Sequence, residues 1–359
     1  MTSPYFFDDR MNLSLTNNSF VSYSLIMLLS FVLTGCHKPT PEPELEHTEQ
    51  QQASVAVPDL NQICENLKQE MRDISAQRTT FALEQINQNI RVCLPLISHP
   101  EQKKLMELSN QMYAQFLHIK RTPEQQKAFD LYALDESQYP TIQQSHFEKL
   151  NIRDQYLLRH KGQAYIELSD LNQNNISYQR NAQYLAKVFA PYFPEDEKVF
   201  IQALADQNEI PFFNQNTLLI LPDEIVERTL FWESYVKKFP KSPYKKEAQY
   251  LYDSYRSFLF LGLKDSPVSV HYEGRLDIQA SSLTAIEQLS ELKNSHLATQ
   301  ARQFLKFVDM SAEQKARLNS QDATESAQKQ LSRMLNLKSL DLSKKQQLNC
   351  FRDAVCYRD

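Results

Sequence analysis

Glycine is scarce: Gly35, Gly162, Gly262 and Gly274 are the only ones in 359 residues. Phosphate loops and dinucleotide fingerprints need several glycines within a few residues, so no nucleotide cofactor is indicated. Histidine is thin and scattered. His37, His47, His99, His118, His146, His160, His271 and His296 form neither a His-Glu-x-x-His pattern nor a close pair suited to a metal. No apolar run approaches the ~20 residues that a helix needs to cross a bilayer. The formal net charge is only −5, and a chain without a basic excess has little to offer the phosphates of nucleic acid. No cofactor, no metal and no nucleic-acid partner is therefore expected.

One short apolar run is present. Residues 25–33 read LIMLLSFVL, with Ser30 alone polar, and Thr34, Gly35 and Cys36 follow. This is the length of a secretory signal core, ~7–15 residues ahead of small residues at a cleavage point. Met1 and Met11 are both possible starts for it. The tetrad Leu33-Thr34-Gly35-Cys36 resembles the lipobox of bacterial lipoproteins. The resemblance implies diacylglycerol on the Cys36 thiol, cleavage after Gly35 and fatty acylation, palmitate included, that anchors the chain to a membrane. His37 stands where such families carry Asp for inner-membrane retention, which favours the periplasmic face of the outer membrane.

Residues 36–58 are rich in Pro, Glu and Gln without apolar periodicity and read as a tether. At ~5–6 Å × √n it reaches on the order of 25 Å from the lipid. With Cys36 lipidated, Cys64, Cys93, Cys350 and Cys356 remain. Four cysteines in an exported chain suggest two disulfides, for which three pairings exist. Locality favours Cys64–Cys93, at the outer ends of two antiparallel helices, and Cys350–Cys356. The latter two lie about 240° apart around a helix, so their pairing requires the helix to break between them.

The fold class reads as mainly α. After the signal (1–35) and tether (36–58), residues 59–159 form a helical domain. Ile63, Leu67, Met71 and Ile74 make one stripe at helical spacing, and Ala82, Ile86, Ile90 and Cys93 make a second. Pro100 opens a third helix, and Thr122-Pro123-Glu124-Gln125 is a capping box. Residues 160–222 form an α+β region. One hairpin is expected around Asn172-Gln173-Asn174-Asn175 and another around Asn214-Gln215-Asn216, with helices near 182–190 and 195–207 between them. Isolated hairpins are marginal, so these two should pair with each other or lie against helices.

Residues 223–345 return to helices, and 346–359 form a disulfide-bearing end. Asp223 is expected to cap one helix, and Ser242, with Pro243 behind it, the next. Val236-x-x-Phe239-x-x-Ser242-x5-Ala248-x-x-Leu251 maps onto Leu289-x-x-Leu292-x-x-Ser295-x5-Ala301-x-x-Phe304 at an offset of 53 residues. The turn Phe239-Pro240-Lys241-Ser242-Pro243 with Ala248 resembles the junction between tetratricopeptide repeats, over about residues 223–310. Pro240 matches the repeat's terminal proline, Trp232 its aromatic and Tyr252 the tyrosine of the next repeat. The offset exceeds the usual ~34 residues, which marks about 262–280 as an insertion. It reads as a connector, with a binding loop around His271 and Tyr272 as the alternative. Trp232 reads as core. Tyr250 and Phe260, off the main apolar stripe, are the candidates for an exposed recognition face.

Catalytic signals are weak. Ser242-Pro243-Tyr244-Lys245 fits Ser-x-x-Lys, but the accompanying Ser-Asp-Asn and Lys-Thr-Gly elements are missing. A carboxylate pair acting on glycans stays open, because such pairs need no fixed sequence spacing. The expectation is a lipid-anchored, periplasm-facing, non-enzymatic scaffold for an envelope protein or peptide. The alternative is a peptidoglycan-acting hydrolase or glycan-binding lipoprotein using the 161–222 region.

Overall fold

The computed structural model describes residues 60–138, 147–169, 176–318, 325–338 and 348–358. Cys36, the tether and the 172–175 turn lie outside them. The chain divides into two units, Met1–Ala56 and Val57–Asp359, and every described residue belongs to the second. Among the described residues no helix is long and apolar enough to cross a membrane. The fold is mainly α, with small two-stranded antiparallel hairpins.

Helices α1 (Leu60–Asp73) and α2 (Thr80–Cys93) bury Leu67 and Met71 against Leu83, Ile86 and Ile90. The Cys64–Cys93 disulfide joins the first half of α1 to the last residue of α2, the pairing that locality favoured. Helix α3 (His99–Phe116) starts one residue ahead of Pro100 and buries Leu105, Met112 and Phe116. Helix α4 (Pro123–Gln138) has its capping box: Thr122 N–H donates to Gln125 Oε1 at 3.0 Å, and Gln125 N–H donates back to Thr122 Oγ1 at 3.3 Å. Arg121 pairs with the fully buried Asp154 of α5 (Ile152–Arg159) at 2.6 Å, fixing the start of α4 to α5.

Strands β1 (Ile166–Leu168) and β2 (Tyr178–Arg180) form the first hairpin, with Ile166 opposite Arg180. Helices α6 (Gln183–Val188) and α7 (Glu195–Gln207) follow. The second hairpin, β3 (Phe213–Asn214) with β4 (Thr217–Leu218), turns at Gln215 and Asn216. The two hairpins do not pair with each other. Instead β4 meets a third hairpin, β5 (Gly262–Leu263) with β6 (Ser266–Pro267): Leu218 N–H donates to Ser266 Oγ at 2.8 Å, and Asp265 N–H to the Asn216 carbonyl at 3.0 Å. That third hairpin lies in the inserted segment, which is therefore built into the fold.

Helix α8 (Pro222–Lys238) begins at its proline, so Asp223 sits in the first turn, where its charge suits the helix dipole, and is not the cap. Helix α9 (Lys245–Leu261) begins three residues after Ser242. Ser242 shapes the turn before it, accepting at Oγ from Tyr244 N–H at 3.2 Å. Helices α10 (Ala280–Glu291) and α11 (His296–Val308) form the second helix-turn-helix, with Ser295 capping α11 through Ala298 N–H. The paired repeat positions Ala248 and Ala301, and Leu251 and Phe304, are all fully buried. Trp232 is core as well, with its Nε1–H donating to Gln207 Oε1 at 2.9 Å.

Helices α12 (Ala312–Arg317) and α13 (Ala327–Met334) lead to a last hairpin, β7 (Leu348–Asn349) with β8 (Tyr357–Arg358). The Cys350–Cys356 disulfide closes the loop between β7 and β8, where the backbone is bent and not helical.

Candidate functional site

Helix α9 is the structural centre of the carboxy-terminal half. From Leu251 to Phe260 every side chain is buried, although an amphipathic helix on a surface covers one stripe only. Elements enclose it on each side. Phe212, ahead of β3, and Phe351, in the disulfide loop, meet Tyr255 and Phe258, while Phe304 of α11 meets Phe260 at 5.5 Å. Buried polar groups on such a helix need partners, and those of Asp253, Arg256 and Ser257 converge on one place.

That place is the carboxy-terminal end of α13. Arg256 Nη2–H donates to the Leu335 carbonyl at 2.8 Å, and Gln300 Nε2–H of α11 donates to the same oxygen at 2.7 Å. Arg256 Nε–H donates to Gln300 Oε1 at 2.8 Å, and Nη1–H to Asp253 Oδ1 at 3.1 Å, which locks the guanidinium plane. Ser257 Oγ–H reaches the Lys338 carbonyl at 3.0 Å, and the Lys338 ammonium meets Asp253 Oδ2 at 2.5 Å. A helix leaves its last four carbonyls without intrahelical partners, and a guanidinium fork with an amide beside it supplies donors for them. Leu331 and Leu335 are fully buried in the same core cluster as α9 and α11, whereas Gln328, Lys329 and Arg333 face solvent. The α9–α11 surface thus receives the end of an amphipathic helix from the same chain and the turn after it.

The sequence-based candidates are not gathered there. Tyr250 is half-buried, and burial pushes its hydroxyl pKa up. Phe260 is not exposed. Its position off the apolar stripe signals exposure only when one face of a helix is covered, and here Phe304 and the inserted segment cover the other. Tyr272 is also buried and donates from its hydroxyl to the Phe260 carbonyl at 3.2 Å, anchoring the insertion to α9. His271 beside it is exposed. Cys36 lies outside the described residues. Ser242 Oγ engages Tyr235 at 2.8 Å, and burial pushes the Tyr235 hydroxyl up to about 12. These contacts occupy Ser242 in the turn, while Lys245 faces solvent.

A second concavity, of about 500 Å³, lies between α3, β2 and the last hairpin, with Asn110, Gln179, Arg180, Asn349 and Tyr357 on its walls. Arg180 Nη1–H donates to Asn110 Oδ1 at 2.5 Å, and Nη2 meets Asp353 Oδ2 at 2.6 Å. Burial works against its charge, but Asp353 and Tyr357 outweigh this and raise its pKa. Elsewhere the buried Glu197 carboxylate takes His99 at 2.8 Å and Lys103 at 2.7 Å, a bridge between α3 and α7. Among the described residues no three His, Cys, Asp or Glu side chains stand together as a metal site.

Arg256, Gln300 and Arg180 escaped the sequence reading. Asp253 and Arg256, three apart on α9, stand at a spacing that lets them pair on one helix face, but nothing within α9 reports that the pair is buried. Gln300 and Arg180 carry no comparable local mark. Comparison with known proteins finds no match to the chain among protein-family models, curated proteins or solved structures.

Proposed function

We propose that this chain is a lipid-anchored envelope protein, held through Cys36 at the periplasmic face of the outer membrane, that binds a partner protein without catalysis. The observation that carries the reading is the convergence of Arg256 and Gln300 on the Leu335 carbonyl, because it makes the α9–α11 surface a groove suited to helical peptide. Helix-in-groove recognition is a recurrent mode of protein association. The lipobox-like tetrad and two disulfides agree with an exported, oxidising setting. Crosslinking in cells followed by purification tests the reading. A defined envelope protein should be recovered with the wild-type chain and lost with Arg256→Met combined with Gln300→Leu. Recovery of lipids alone would contradict it.

A second reading, glycan binding or peptidoglycan hydrolysis, draws on the Arg180 cleft, whose amide side chains and Tyr357 ring suit sugar hydroxyls and a sugar face. Incubation of the chain from residue 59 onward with purified cell wall separates the two readings. Release of muropeptides, or cosedimentation abolished by Tyr357→Ala, would replace the scaffold.

A further inference from the structure

We propose that α13 with the turn after it, residues 325–338, is an exchangeable stand-in for the helix of a partner protein. This rests on the scaffold reading and specifies the ligand.

The groove defines what fits. It takes an amphipathic helix with two aliphatic side chains one turn apart, in the places of Leu331 and Leu335, ending at the second so that its last carbonyls face Arg256 and Gln300. A cation three residues further on, in the place of Lys338, meets Asp253. The groove's charge pattern thus runs from a carbonyl-seeking guanidinium to a carboxylate, and α13 matches it in order.

The hold on α13 is shallower than that on α9, because Ala327, Met334 and Leu337 pack against the core only in part. Of residues 325–338 only Gln330, Leu331 and Leu335 are buried, against ten consecutive positions on α9. Regions with few buried apolar contacts open at lower free energy than the core around them. A helix of this length is not stable alone in water, so leaving the groove melts it. Arg256, by contrast, is also held by Asp253 and Gln300, contacts that do not involve α13. The groove is therefore preformed, and its occupant is replaceable by a competitor of the same pattern.

Two measurements on the full chain test this. Hydrogen exchange should show α13 amides protected at least tenfold less than those of α9. Exchange of both at one common rate would overturn the proposal, and this readout needs no variant. Secondly, a labelled peptide of residues 325–338 is titrated into wild type and into Leu331→Asp with Leu335→Asp, which disables the resident helix and leaves the groove intact. Saturable binding to the variant, at least tenfold tighter than to wild type and abolished by adding Arg256→Met, is expected. A folded variant that fails to bind, or binds equally with Arg256→Met, would overturn it. If envelope crosslinking still recovers a partner in that case, the scaffold reading stands and only the exchange fails.

Discussion

Arg180 on β2 and Asp353 in the disulfide loop form an ion pair at 2.6 Å across 173 residues of sequence, with both side chains mostly out of water. Through it the end of the described chain is fastened to the first hairpin. Asn208 adds to the fastening by donating from Nδ2 to the Cys350 and Asp353 carbonyls.

Removing one partner of a buried pair strands the other charge, at a cost of about 3–5 kcal/mol. Asp353→Ala should lower stability by that order in urea unfolding. Arg180→Met together with Asp353→Leu should recover much of the loss, because no unpaired charge is then buried. A double variant as unstable as the single would refute the argument.

The two disulfides should differ in weight. Cross-linking stabilises more as the closed loop lengthens, by about 3–4 kcal/mol for Cys64–Cys93 and about 2 kcal/mol for Cys350–Cys356 on the chain-entropy estimate. Paired Cys→Ala replacements, compared by their urea midpoints, should therefore rank with the Cys64/Cys93 variant the less stable. Mass spectrometry of non-reduced digests should find these two linkages, and free thiols at Cys64 and Cys93 would contradict them.

Asp277 organises the inserted segment. Burial opposes its charge, but hydrogen bonds from Ser269 Oγ and from the N–H groups of Glu273 and His271 hold the carboxyl below its usual pKa. A depressed carboxylate contributes stability that is complete above the unfolded value near ~3.9 and is lost as pH falls through the lower folded value. Amide exchange at His271, Tyr272 and Glu273 should accelerate below that pH in wild type. The same step should be missing in Asp277→Asn.

Gly262 ends α9 with φ +74°, and a Cβ there would collide with the main chain of Ser266, Pro267 and Val268. Gly262→Ala should therefore cost more than the ~1 kcal/mol typical of an ordinary glycine change. Thermal unfolding reads this directly, and a neutral or stabilising result would mean that the β5–β6 turn can relax.

How much of this was legible in sequence depended on whether the determinant was local. The stripes of α1 and α2, the Thr122–Gln125 box, both hairpin positions and the Ser295 cap follow from periodicity and from residues a few positions apart. Ser242 misled by three residues because Pro243 and Tyr244 continue its turn before α9 begins. Phe260 and Tyr272 misled because their exposure depends on α11 and the inserted segment, which no pattern within α9 reports. The groove itself escaped for the same reason. Its residues Arg256, Gln300 and Leu335 come from three separate elements, and only folding brings them to one oxygen atom.

Membrane attachment through Cys36 is the proposal on which the compartment and the choice of partners depend, and the two disulfides support it independently. Metabolic labelling with palmitate tests it most directly. Label should enter the wild-type protein, and Cys36→Ser should abolish incorporation and free the protein from the membrane fraction. Label retained by Cys36→Ser, or absent from wild type, would contradict the account.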